Sequence, residues 1–216
     1  MKRWAVVFAG LLLAGCATES REPRNLDLAK AEIRDYVTAG RYLEDIAAVA
    51  AKADAWVVQR TAARAPGERL AVVFDLDETL LWNWPEIESL GLGYSPPVWE
   101  AWVADGKAPA IEPVRAVYRT ARRLGLEVYF ITGRRERQRA STEKNLRAID
   151  CGDATALIMK PDDAKGTSAA FKTAERARLT AKGCVVIANV GDQESDLVGG
   201  YAERTFKLPS PFYLSP

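Results

Sequence analysis

The chain has no histidine. That absence removes whole classes of hydrolytic chemistry. A serine or cysteine nucleophile activated by an imidazole base is excluded. So are a phosphohistidine intermediate and any zinc site ligated by histidine. Chemistry in this protein must run on carboxylates, lysine, hydroxyls, backbone amides and hard metal ions.

Charge of one sign is missing as well. The net charge is +1, with acidic and basic residues interleaved. No global basic field argues for a nucleic-acid polymer as partner. The short run Arg134-Arg135-Glu136-Arg137 reads as a solvated helix start rather than a nucleic-acid patch. The sequence also lacks internal repeats and low-complexity tracts. Its 216 residues suffice for one compact domain with a real core.

A membrane-spanning apolar run is absent too. The longest candidate, Trp4 to Leu13, has about ten residues where a spanning helix needs about 20. It follows a basic start, Lys2-Arg3, and ends in Leu13-Ala14-Gly15-Cys16. This pattern matches the bacterial lipobox, in which the cysteine is acylated and becomes the first mature residue. Residues 1–16 therefore read as a lipoprotein signal peptide ending at lipidated Cys16, and residues 17–25 as a polar tether. Several acyl chains give stable anchoring where one would not. The expected location is outside the cytoplasm, facing the periplasm or cell surface; Ala17 after the cysteine points to the outer membrane. Cys151 and Cys184 remain. An exported protein could pair them, but the strand order below sets them near the starts of two different strands, which favours two unpaired buried thiols.

Residues 26–60 carry apolar side chains at helical spacing, among them Leu26, Ile33, Tyr36, Val37, Tyr42, Ile46 and Val49, divided at Gly40 into two helices. The period then changes. Leu70-Ala71-Val72-Val73-Phe74 is a continuous β-rich run suited to a strand buried on both faces. Further strands are expected at Glu127–Ile131, Ala156–Met159 and Val185–Val190. Helices are expected at Pro113–Leu124, Arg135–Ile149 and Ser168–Lys182. Such alternation predicts an α/β domain over residues 26–216, a parallel sheet with helices on both faces. Residues 82–110, rich in tryptophan, proline and glycine, read as an insertion with little regular period.

In sheets of this kind ligands bind at the carboxyl ends of the strands. The first strand ends in Asp75-Leu76-Asp77-Glu78-Thr79, the second in Thr132-Gly133-Arg134, and the fourth in Gly191-Asp192-Gln193-Glu194-Ser195-Asp196. Carboxylates gathered in one crevice repel one another unless a cation sits among them. Mg²⁺ suits such a place, taking oxygen ligands together with waters and a substrate phosphate. A lysine and a threonine hydroxyl then supply donors for phosphoryl oxygens. The residues alone do not choose Lys172 over Lys160 or Lys165 for the lysine.

These motifs resemble the haloacid dehalogenase (HAD) superfamily, with its Rossmann-like sheet. Asp75-x-Asp77-x-Thr79 resembles its first motif, Thr132 the second, Lys172 the third, and Gly191-Asp192-x-x-x-Asp196 the fourth. At subfamily level, Phe171-Lys172-Thr173, Arg176, Gly191-Asp192-Gln193, Ser195-Asp196-Leu197 and Thr205-Phe206-Lys207-Leu208-Pro209 resemble the plant acid phosphatases, the vegetative storage proteins and the bacterial class C lipoprotein acid phosphatases (HAD subfamily IIIB). The resemblance covers about residues 70–216; the helices before it fit only loosely.

The resemblance implies a Mg²⁺-dependent acid phosphatase acting on small phosphomonoesters, nucleoside monophosphates among the candidates. It implies that Asp75 attacks phosphorus and that Asp77 is the acid and then the base. Mg²⁺ would be held by Asp75, the Asp77 carbonyl and Asp192, with Asp196 in or beside the ligand set. Thr132, Gly133 and Lys172 would hold the phosphoryl group, and Arg176 would orient Asp192 or Asp196. Residues 82–110 would form a small cap. There Trp99 and Trp102 are expected to pack within the cap, Trp82 or Trp84 to pack or to stack on an aromatic leaving group, and Asn83 to bind substrate or close a turn. Glu194 stands where plant members often carry an aromatic residue. Two other readings use the same scaffold: a low-turnover binding or storage lipoprotein, and a phosphotransferase. The anchor makes its own prediction. Replacing Cys16 by Ala should release the protein from the membrane fraction with catalysis intact; a variant that stays membrane-bound would place the anchor elsewhere.

Overall fold

A computed structural model describes residues 22–215. The signal peptide, Cys16 and most of the tether lie outside the described residues. Among the described residues, no helix is long and apolar enough to cross a membrane. Helix α1 (Leu26–Thr38) starts at Asn25, whose side chain accepts from the amides of Asp27 and Leu28. Gly40, at φ 81°, turns the chain into α2 (Arg41–Ala62), as the sequence suggests. The order continues with β1 (Arg69–Phe74), α3 (Trp84–Ser89), α4 (Pro96–Asp105), α5 (Glu112–Arg123), β2 (Glu127–Arg135), α6 (Arg139–Ala148), β3 (Ala156–Lys160), α7 (Ser168–Ala181), β4 (Cys184–Gly191), α8 (Glu194–Leu197) and β5 (Arg204–Lys207).

The five strands form one sheet in the order β3-β2-β1-β4-β5, every neighbouring pair parallel. The central strand β1 is buried on both faces, and its side chains alternate between two cores. Leu70, Val72 and Phe74 join the larger core with α2, α5 and Leu146 of α6. Ala71 and Val73 join the smaller core, which is closed by Leu179 of α7. Helices therefore cover both faces. Trp56 of α2 also ties the N-terminal helices to the sheet, donating from Nε1 to the carbonyl of Ile187 at 2.8 Å. Cys151 sits in the larger core and Cys184 in the smaller, both free and buried.

Some elements differ from the sequence reading. The insertion at 82–110 is not irregular: it carries α3 and α4, each with proline in its first turn. At 6 and 10 residues they are too short to display a period. Strand β2 runs on to Arg135, with a register break between Thr132 and Arg135. The short α8 and β5 carry no periodic signal in sequence and were not expected.

Candidate active site

The ends of β1, β2 and β4 and the second turn of α7 converge on a cavity of about 690 Å³. Asp75 follows β1 directly. Its amide donates to the carbonyl of Val190 at 3.0 Å, so the residue is locked to β4. Only 6 % of it is exposed. The chain then turns sharply, with the amides of Leu80 and Leu81 both donating to the carbonyl of Leu76. Glu78 takes a left-handed conformation at φ 54° in that turn.

Lys172 crosses from α7 to this point. Its Nζ donates to Asp75 Oδ1 and, at 2.6 Å, to Asp196 Oδ1. All three residues are buried. Burial opposes the lysine's charge, but Asp75 and Asp196 outweigh it and its pKa is raised. Asp75 is pushed well above the usual carboxylate range, first by burial and then by Asp196, Asp192 and Asp77, with Lys172 opposing. Asp192 is raised to about 7, chiefly by burial and by Asp196. Asp192 is itself held by Gln193 Nε2 at 2.7 Å and Ser210 Oγ at 2.8 Å, with Thr79 Oγ1 at 3.4 Å from its other oxygen. Gly191 permits the tight turn: a Cβ there would lie 2.5 Å from Asp196 Cβ.

The carboxylates of Asp75, Asp192 and Asp196 bring one oxygen each within 4.8 Å of one another. Three acidic groups facing a single lysine leave the cluster short of positive charge. Buried, hard oxygen donors in this number fit a hard divalent cation.

Asp77 is not part of that cluster through its carboxylate. Arg134 grips it, with Nη2 at 2.7 Å from Oδ1 and Nε at 3.1 Å from both oxygens. Asn83 Nδ2 adds a donor at 2.9 Å. Arg134 is also bound to Thr142 Oγ1 and stacks its guanidinium 5.5 Å from the ring centre of Trp99. This corrects the reading of Arg134-Arg135-Glu136-Arg137 as a solvated helix start. The Arg134 side chain is 1 % exposed. It belongs to the end of β2, and only the extension of that strand past Thr132 brings it inward.

The other expected residues divide. Gly133 lines the cavity, whereas Thr132 is fully buried and accepts from the amide of Arg134. Arg176 is fully buried and grips the carbonyls of Asp196, Val198 and Gly200. It therefore holds the loop after α8 rather than a carboxylate or a substrate. Asn83 takes the second of its two expected roles: its carbonyl accepts from the amides of Glu86 and Ile87, closing the turn into α3, while its side chain donates to Asp77 and accepts from Trp102 Nε1 and so positions Asp77. Trp82 packs on the larger core, and Trp84 tilts against Phe212 in it. The tryptophan on the cavity wall is Trp99. Sequence reasoning missed Arg134, Gln193, Ser210 and Tyr213, which donates to Glu78. Gln193 at least sits inside a recognisable motif; Ser210 carries no local signal.

The cluster implies a pH-dependent response to metal. Asp75 and Asp192 carry folded-state pKa values above their ordinary ones, so the folded state binds protons more tightly than the unfolded chain. Metal-free stability should fall as pH rises from the ordinary carboxylate range through about 7. A divalent cation replaces those protons. The rise in Tm on adding Mg²⁺ should thus be larger at about pH 8 than at about pH 5. An equal or smaller rise at the higher pH would contradict the assignment of this cluster to a metal.

Residues 16–216 match the family model described as HAD superfamily, subfamily IIIB (acid phosphatase). The chain is 36 % identical over 146 residues to "Acid phosphatase 1" of Solanum lycopersicum, covering 65 % of this chain and 57 % of that protein. It is 34 % identical over 148 residues to "Vegetative storage protein 1" of Arabidopsis thaliana, covering 67 % and 55 %. The chain thus spans little more than half the length of these curated relatives. A class C acid phosphatase from Bacillus anthracis has the same fold, with TM-score 0.69, 23 % identity, and coverage of 88 % of this chain and 87 % of that one. A structure of a class C acid phosphatase from that organism with tungstate bound gives 0.70 at 22 % identity. With the sheet order, the strand-end carboxylates and the match from residue 16 onward in agreement, the chain belongs to subfamily IIIB, the acid phosphatases, of the HAD superfamily.

Proposed function

We propose that this domain is a Mg²⁺-dependent phosphomonoesterase that works through an aspartyl-phosphate on Asp75. The observation that carries the reading is the contact of Lys172 with both Asp75 and Asp196, in a cluster completed by Asp192 at the cavity wall. Lys172 fixes the Asp75 carboxyl and opposes the upward push of burial on its pKa, favouring the ionised form that a nucleophile requires. The tungstate found in a class C acid phosphatase supports an oxyanion site in a related fold.

In the first step an Asp75 oxygen attacks phosphorus and the bond to the leaving oxygen breaks. Asp77 gives that oxygen a proton. In the second step water attacks the phosphorus, Asp77 takes the proton from the water, and the bond to Asp75 breaks, releasing phosphate. Arg134 and Asn83 fix the Asp77 carboxylate for this task. Lys172 offsets charge on the phosphoryl oxygens, with donors from the Gly133 turn. Asp75, Asp192 and Asp196, with the Asp77 carbonyl, would hold Mg²⁺, which when bound would offset the negative charge of the phosphate. We infer further that small exported phosphomonoesters, nucleoside monophosphates among them, are the substrates, and that Cys16 anchors the domain outside the cytoplasm.

Two relatives from Arabidopsis thaliana are named for storage rather than catalysis, "Vegetative storage protein 1" and "Vegetative storage protein 2". The complete Asp75, Asp77, Lys172 and Asp192 set favours turnover here. The test is p-nitrophenyl phosphate hydrolysis by the domain with Mg²⁺ and with EDTA. Activity should need the metal, and Asp75→Asn should remove at least about a thousandfold of it with the fold retained. No metal-dependent turnover in the unmodified domain would sink the proposal.

A further inference from the structure

Three carboxyls on the cavity wall, Glu78, Glu86 and Glu100, have no task in the chemistry above, and Tyr213 and Arg137 bond the first and the last of them. Glu86, on α3 of the cap, lines the same cavity as Asp75 and Lys172. The residue is 5 % exposed. Its Oε1 is buried and has no hydrogen-bond partner. A buried carboxyl oxygen without a partner destabilises a fold, so one retained on a cavity wall points to a partner that arrives from outside. The pKa of Glu86 is raised, and burial alone is the cause. Glu86 is thereby distinct from the acidic cluster, whose members raise one another.

We propose that Glu86 is a specificity-determining residue that accepts a hydrogen bond from a hydroxyl of the leaving group, selecting sugar-type phosphomonoesters over those without a donor. This rests on the phosphatase reading of the cavity. The partner's chemistry follows from the rest of the wall. Arg134, Arg137 and Lys172 on the same wall are already paired, with Asp77, with Glu100 and Asp162, and with Asp75 and Asp196, and none of them is hydrogen-bonded to Glu86 Oε1. A neutral hydroxyl can supply the missing donor without carrying a charge out of water. Trp99 and Tyr94 supply aromatic surface on the same wall, suited to the apolar face of a sugar ring.

The test compares ribose 5-phosphate with p-nitrophenyl phosphate, whose leaving group carries acceptors but no donor besides the reacting oxygen. In the full chain, Glu86→Ala should lower kcat/KM for ribose 5-phosphate by about 10- to 100-fold, mostly through KM, and leave p-nitrophenyl phosphate within about twofold. Glu86→Gln keeps an acceptor oxygen and should restore part of the loss. A purely structural role would move both substrates together. An equal loss on both, or no loss on ribose 5-phosphate, overturns the proposal. A second readout needs no turnover. In an Asp75→Asn background, calorimetric binding of ribose 5-phosphate should weaken on adding Glu86→Ala, while phenyl phosphate binding holds. Failure of that selective loss sinks the Glu86 assignment; absence of hydrolysis of either ester by the unmodified protein sinks the phosphatase reading separately.

Discussion

Lys172 reaches Asp75 and Asp196 at a point where all three side chains are buried. Stripping water from such charges is expensive, and removing one partner would leave the others exposed to that full cost. The placement of the surrounding elements is best understood as satisfying this contact. Helix α7 must start at a fixed distance from β1, and Thr167 caps its first turn by accepting from the amide of Ala170. Gly191 must lack a side chain so that Asp196 can fold back over the end of β4. Arg176, one turn beyond Lys172, clamps the carbonyls of the loop that follows Asp196. The same helix thus supplies the charge and fixes the loop that bears its partner.

A second layer of contacts prepares the edges of the cavity. Arg134, Asn83 and Trp102 form a chain of donors ending on Asp77. It links the end of β2 to α3 and α4, so the seating of those helices and the orientation of Asp77 rest on the same contacts. On the opposite flank, Ser210 and Gln193 hold Asp192 while Tyr213 donates to Glu78. Segments far apart in sequence therefore fix the acidic residues before any substrate binds, as preorganised electrostatics require.

The sheet was legible because its strands are continuous apolar runs, and β1 alone nearly defines the frame. Asp75, Lys172, Asp192 and Asp196 were legible because they sit at strand or helix ends in the order of a known family. Arg134 was not. Its neighbours Arg135 and Arg137 bond at the surface, and three arginines within four residues look solvated until a register break turns one of them inward. Helices α3 and α4 escaped notice because short helices set by proline show no period. Trp99 rather than Trp82 or Trp84 reaches the cavity for a related reason: without knowing that 96–105 is a helix, proximity to Asp75 in sequence is a poor guide to proximity in space. Ser210 and Glu86 mark the limit of sequence reading, since an isolated polar residue acquires meaning only from what surrounds it.

The aspartyl-phosphate proposed for Asp75 would join the buried Lys172 contact to the acid–base role proposed for Asp77, and it is open to direct observation. Protein turning over a phosphate ester would be quenched in acid, reduced with borohydride and mapped by peptide mass spectrometry. The account predicts an acyl phosphate, reduced to an alcohol, at position 75. Steady turnover with phosphate captured on a different residue, or with position 75 unmodified throughout, would contradict it.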